Sequence, residues 1–217
     1  MAGRGGRRWL VAAVVVVLLL VGLDLGARAV AQSELASRAK SASGAQSASA
    51  AIHGFPFLWD LLAQGSISGI HVHLSEVPAG PLRLSAVDVQ LDGTHIDRGA
   101  LFSHRQVHVE SIDSATAEVT VTAADLSAAV GGTVSLPGAG RILVTVAGLG
   151  VPAQIHVLDD RVLVLEVHGV AVLRSDLTAN RLVPACALSV VVGSGQLTVS
   201  CTVAPVPGSV VQAIAGV

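Results

Sequence analysis

Eight histidines are the chain's main supply of side chains able to do chemistry. His71 and His73 stand two apart in an alternating stretch, so on a strand they share one face and form a two-ligand arm for a metal. His104 and His108 stand four apart near Glu110. That spacing joins two ligands only on a helix, and this stretch reads as a loop entering a strand. Exposed strand histidines are ordinarily polar-face residues, and no metal or other cofactor is expected. Catalytic motifs fare no better. Gly65-Ser66-Ile67-Ser68-Gly69 has Ile67 where a hydrolase elbow places its nucleophile. Gly148 to Ala153 matches a loose GxGxxA string, but Pro152 and the strand-like run after it deny the helix that would hold a pyrophosphate. A phosphate-binding Walker loop, HExxH and CxxC are all missing, and the acids are scattered with no pair set up for general acid–base work. No catalytic residue is assigned, and the chain does not read as an enzyme.

The two cysteines carry the other candidate chemistry. They bound Cys186-Ala187-Leu188-Ser189-Val190-Val191-Val192-Gly193-Ser194-Gly195-Gln196-Leu197-Thr198-Val199-Ser200-Cys201. This reads as a hairpin with strands Cys186–Val192 and Gly195–Cys201 around a Gly193-Ser194 turn. A two-residue loop sets Val190 opposite Leu197, Leu188 opposite Val199 and Cys186 opposite Cys201, all on one face. A cross-strand disulfide in an oxidising compartment is the favoured reading. The same register makes the cysteines a hydrogen-bonded pair, whose wider Cα spacing suits a disulfide less well. A three-residue loop would shift the pairing, and two buried free thiols are the alternative.

The elements that would position these groups follow from composition and period. At 217 residues the chain has ample material for a core, and 52% of it is apolar, mostly Ala and Val. Charged residues are 13%, about half the usual share, and the net charge is −2 with no basic run beyond the N-terminus. A nucleic-acid partner, which needs a clustered positive face, is therefore not expected. Arg outnumbers Lys twelve to one, which with the Ala, Val and Gly excess points to a GC-rich bacterial genome. Arg4, Arg7 and Arg8 precede an uncharged apolar run from Trp9 to Leu23, the order that directs export with the arginines left in the cytoplasm. Ala29-Val30-Ala31 offers a cleavage site after Ala31. The alternative is a retained anchor, although fifteen residues make only about 22 Å of helix against a ~30 Å hydrocarbon core. Continuing through Asp24 and Arg28 gives the length but places charge near the outer interface. The division is then 1–31, signal peptide or membrane anchor, and 32–217, the working domain. That domain is either held at the cell membrane facing outward or secreted to the periplasm or cell envelope.

Beyond the leader, Gln32–Ala51 is Ala-rich and predicts a helix weakened by Gly44 and serines. A turn through Gly54 and Pro56 leads to a short helix, Phe57–Ala63. Period-two patterning then predicts strands at Ile70–Val77, Leu82–Leu91, Val107–Ser111, Ala115–Thr122, Ile142–Ala147, Gln154–Leu158, Arg161–Val167, Ala171–Leu173, Cys186–Val192 and Gln196–Val203. Inside Leu82–Leu91 the apolar phase slips, which predicts a bulge or strong bend. Asp159-Asp160 reads as a hairpin turn, and helices are expected at Ala123–Val130 and Pro207–Ala215. The class is α+β and mainly antiparallel.

The export helix, followed by Gly54-Phe55-Pro56-Phe57-Leu58 with Leu61-Leu62, then the run from Ile70 through Leu91 to Asp92-Gly93, resembles the LmeA-like phospholipid-binding family of actinobacterial envelope proteins. The likeness spans most of the chain and is sharpest in its first hundred residues. It implies a fold of the tubular lipid-binding kind, with a curved antiparallel sheet wrapped around a long N-terminal helix. It also implies non-catalytic binding of phospholipid, acyl chains held in an apolar groove, and support of envelope lipid or glycolipid maintenance. A Val/Leu/Ala lining suits that role, because small branched walls leave room for a chain. The alternative is an anchored structural protein that docks an envelope enzyme without binding lipid. Two of the three Phe and one of the two Trp crowd into Phe55–Trp59. On one account this is a hydrophobic plug seating the short helix on the sheet. On the sharper one Phe55, Phe57 and Leu58 line a lipid entrance with Trp59 at the bilayer interface, and Leu61 and Leu62 join them as lipid-binding residues.

Overall fold

The computed structural model describes residues 4–104, 108–146, 148–159, 162–177, 186–208 and 211. One helix, α1 (Arg4–Ser43), leads into strand β1 (Ser47–His53). A short helical element, α2 (Phe57–Trp59), continues as a π-helical turn over Asp60–Gln64. Then come β2 (Ser66–Ala79), β3 (Leu82–Ile96), helix α3 (Arg98–His104), β4 (Val109–Thr122) and helix α4 (Ala123–Val130). The second half carries β5 (Thr133–Gly138), β6 (Arg141–Val146), β7 (Leu149–Leu158), β8 (Val162–Val167), β9 (Val170–Asp176), β10 (Ser189–Val192) and β11 (Gln196–Val203).

The class is the expected α+β, with antiparallel pairing throughout. Its strands divide into two sheets, ordered β1-β2-β3-β4-β11-β10 and β5-β6-β7-β8-β9. The main core is built from the inward residues of both: Leu74, Leu82, Val87, Val119 and Leu197 from the first, Leu163 and Leu165 from the second, and Leu126 from α4. All eight are at most 2% exposed. α1 stands at the edge of this body beside β1, touching the core through Leu35 and Ala39.

Helix α4 is where local chemistry is clearest. The Thr122 hydroxyl accepts the Asp125 N–H and the Asp125 carboxylate accepts the Thr122 N–H, closing a capping box. The Ser85 hydroxyl donates to the same carboxylate, tying α4 to β3. Burial pushes the Asp125 carboxyl up. The bonds from Ser85 and from the Thr122 side chain and backbone, with Arg83 nearby, outweigh it and hold the group below its ordinary value.

Several expected boundaries are corrected. The helix predicted over Gln32–Ala51 ends at Ser43, where Gly44 turns with φ 67°, and the rest becomes β1. Ala48 and Ala50 pack inward while Ser47 and Ser49 face water, an alternation that strand pairing enforces over the helix propensity of Ala. β5 and α3 were not expected, and the two strands predicted around residues 107–122 are one, β4. The phase slip in β3 is real and shared by its partner: Val77 pairs Leu84 and Ser75 pairs Ala86, while Glu76, between them, takes φ 55°. Because both strands gain the irregularity together, the register holds across it. The helix expected at Pro207–Ala215 lies outside the described residues except for 207, 208 and 211, as do Asp160 of the predicted turn and the strand-end residues Val107, Ala147 and Arg161.

The last hairpin pairs Val190 with Val199 and Val192 with Leu197, two residues off the expected register. Its loop is longer because other chain segments hold it: Gly195 N–H donates to Leu136 O (2.9 Å) and Ala123 N–H donates to Gly195 O (3.0 Å). Cys186 and Cys201 still meet at disulfide distance, with Cα atoms 6.0 Å apart, Cys186 lying before β10 instead of within it.

Candidate functional site

The crowded aromatic stretch forms a small structure held at both ends. Gly54 turns the chain out of β1 with φ 120°, and a Cβ there would lie 3.1 Å from Asp60 Oδ2 and 3.3 Å from Ser68 Oγ. Only glycine meets both demands. Pro56 O then accepts the Asp60 N–H at 3.1 Å, and the π turn ends on Gly65 in the left-handed region. Beyond it, Gly65 O accepts the Ile96 N–H (2.7 Å), and Arg98 Nη1 donates to Ala63 O (2.6 Å).

The N-terminal end of α2 is held from α1. Phe57 N–H donates to Asp24 Oδ2 (3.1 Å) and Leu58 N–H donates to Asp24 Oδ1 (2.6 Å). Asp24 is only 4% exposed. Two N–H groups that a helix start leaves without partners thus receive a carboxylate from 33 residues upstream. In the sequence Asp24 stands only as a charge at the end of the apolar run, with Arg28 one turn beyond. An acidic residue inside an apolar helix run was the available signal that it has a distant partner.

The six predicted lipid-site residues separate by burial. Phe57 is buried at 6% in a cluster with Ile52, Ile67 and Ile96, against which Leu58, Leu61, Ala27 and Ala31 pack half-buried. Phe55 and Trp59 are each 63% exposed and Leu62 is 43% exposed. The element therefore has an inner apolar side that seats it and an outer apolar side that stands exposed. α1 is apolar and exposed nearby, from Val14 to Leu20 and at Leu23 and Leu25. It is long and apolar enough to cross a membrane.

The histidines find different work. His71 Nε2 and His73 Nδ1 lie 3.1 and 2.8 Å from the same Asp88 oxygen. Among the described residues no group of three or more His, Cys, Asp or Glu is arranged to hold a metal. A depression of about 340 Å³ opens over β1, β2 and β3, lined by His53, Ser68, Gly69, Ile70, His71, Gln90 and Asp92. It offers both donors and acceptors. His104 ends α3 and His108 precedes β4, so the two do not share a helical face. The Gly148–Ala153 string runs into β7, without a helix after its glycines.

No curated protein matches the chain, and no solved structure does. Residues 22–214 match the model of a family that binds lipid, and by that match the chain belongs to the LmeA-like phospholipid-binding family.

Proposed function

We propose that this chain is a non-catalytic phospholipid-binding protein of the bacterial cell envelope, anchored in or exported across the membrane, which holds acyl chains in an apolar groove and supports envelope lipid or glycolipid maintenance. The observation that carries it is the outward-facing apolar side of α2: Phe55, Trp59 and Leu62 stand exposed beside an equally exposed apolar helix. A soluble surface rarely groups large apolar side chains in this way without a partner. The groove runs along the outer side of α2, between Phe55, Trp59 and Leu62 and the exposed apolar face of α1. Beneath it Ala27, Ala31, Leu58, Leu61 and Ile70 pack half-buried around Phe57. Each methylene of an acyl chain laid there contributes roughly 0.8 kcal/mol.

Native mass spectrometry of the full chain, purified from membranes and released from detergent, tests the reading. The expected result is a protein with bound phospholipid, and a chain that is empty and takes up no lipid from vesicles overturns it.

A further inference from the structure

We propose that α1 stays attached as the anchor of the mature protein, and that Asp24 clasps α2 to it so that Phe55, Trp59 and Leu62 sit in the outer leaflet of the membrane α1 crosses. The inference deepens the lipid-binding reading and rests on its lipid-facing placement of α2.

Four observations converge. The helix is unbroken across Ala31 and Gln32. Its packed face runs through Asp24, Ala27, Ala31, Leu35 and Ala39, one side of the helix at three- and four-residue steps, against the α2 cluster first and the main core next. A cut after Ala31 would split that face and remove the carboxylate from the Phe57 and Leu58 N–H groups. Third, the family match begins at residue 22, so the segment that holds α2 lies within the matched region.

Fourth, the clasp removes the difficulty of length. The uncharged run Trp9–Leu23 is too short to span, and Asp24 at its end would be costly in hydrocarbon. Buried beneath α2 with both oxygens accepting N–H groups, Asp24 presents no bare charge to lipid. The apolar span then extends from Trp9 to Ala27, about 28 Å of helix against a ~30 Å hydrocarbon core. Arg28 follows at the boundary, and beyond Gln32 the outer face turns polar, with Glu34 and Arg38 paired at 2.9 Å. Because α2 is bonded to Asp24, its exposed aromatic side lies level with the last turn of the span. That is the depth at which Trp is favoured, and the arginines at residues 4, 7 and 8 set this end outside.

The test uses the full chain with its native N-terminus, recovered from membranes and reconstituted in phosphatidylethanolamine–phosphatidylglycerol vesicles. Its intact mass is expected to include residues 1–31, and a mature chain beginning at Gln32 overturns the proposal. With Trp9→Phe, Trp59 becomes the sole Trp fluorophore. Lipids brominated near the headgroup should quench it more than lipids brominated at the chain end, and quenching by neither overturns the placement. Asp24→Ala should lose most of this quenching while the chain stays in the membrane, and unchanged quenching overturns the clasp. Asp24→Asn, whose amide oxygen still accepts an N–H, should fall between and keeps the test open if the alanine variant does not fold. Bound lipid, measured on the same samples, separates the two readings. A lipid-loaded chain with unquenched Trp59 loses this proposal alone, whereas a quenched, retained chain without lipid overturns the lipid-carrying reading alone.

Discussion

Phe57→Ala and Trp59→Ala should behave as opposites although the residues are two apart. Phe57 is 6% exposed and enclosed by Ile52, Ile67 and Ile96. A Phe buries roughly 150–250 Å² on folding, which at about 25 cal/mol per Å² gives an upper limit of about 4–6 kcal/mol, and measured Phe→Ala losses in cores run about 3–5 kcal/mol. Leu58 and Leu61 are only half-buried and able to collapse into the space, which puts the expected loss at the lower end, about 3 kcal/mol. For a chain of this size that is a fall in Tm of roughly 6–12 °C. Trp59 is 63% exposed and should cost under about 1 kcal/mol, or less than ~4 °C. Far-UV circular dichroism melts of both variants in one detergent, with bound phospholipid counted on the same samples, give the comparison. Trp59→Ala should keep its melt and carry less lipid, whereas Phe57→Ala should lose its melt. Equal shifts, or the larger shift at Trp59, would mean that α2 faces the other way and would refute the assignment of its two sides.

Gly54→Ala should destabilise by about 1–3 kcal/mol, since φ 120° and contacts of 3.1 and 3.3 Å leave a methyl neither conformation nor space; denaturant unfolding checks it. Asp125→Ala should cost about 1 kcal/mol through loss of the capping box, read from the same unfolding curves. The wild-type carboxyl is held below its ordinary value, so its contribution is fully present above about pH 4 and fades as pH falls through the lowered value; the Asp125→Ala penalty should therefore shrink in acid melts. Cys201→Ser should cost about 3 kcal/mol, the loop-closure value for a 15-residue separation, and reduction of the wild type should match it in a thermal melt.

What the sequence disclosed and what it hid have separate physical causes. Period-two runs of Val and Leu are unambiguous on a half-buried strand, and β3, β8 and β11 begin or end within a few residues of the positions their patterns predict. Helix α4 matches its predicted bounds because Thr122 and Asp125 close a local signal at each end of one turn. β1 was illegible because Ala serves a helix as well as it serves a shallow strand seam, and only pairing with β2 decides. The hairpin register differs from the one its local spacing predicts because its loop is set by contacts with Leu136 and Ala123, far away in sequence. The candidate site divides in the same way. The aromatic crowd marked α2, but which of its residues face inward depends on Asp24 and Arg98, and neither partner can be read from local spacing.

The filled core also constrains where a lipid can lie. A tubular reading would place an acyl chain between sheet and helix in the middle of the body. Between the two sheets, however, Leu74, Leu126, Leu163, Leu165 and Leu197 are all fully buried. Admitting a chain there would mean displacing close-packed side chains, each of whose removal costs about 2–5 kcal/mol. The outer side of α2 asks for no such exchange. Phe57 and its isoleucine neighbours are packed beneath it, while Phe55, Trp59 and Leu62 already stand exposed beside the apolar face of α1. Covering that surface removes apolar area from water and breaks no existing packing. On the proposed reading a lipid binder with a solid centre works at its edge, and here that edge is also where the helix able to cross a membrane joins the body.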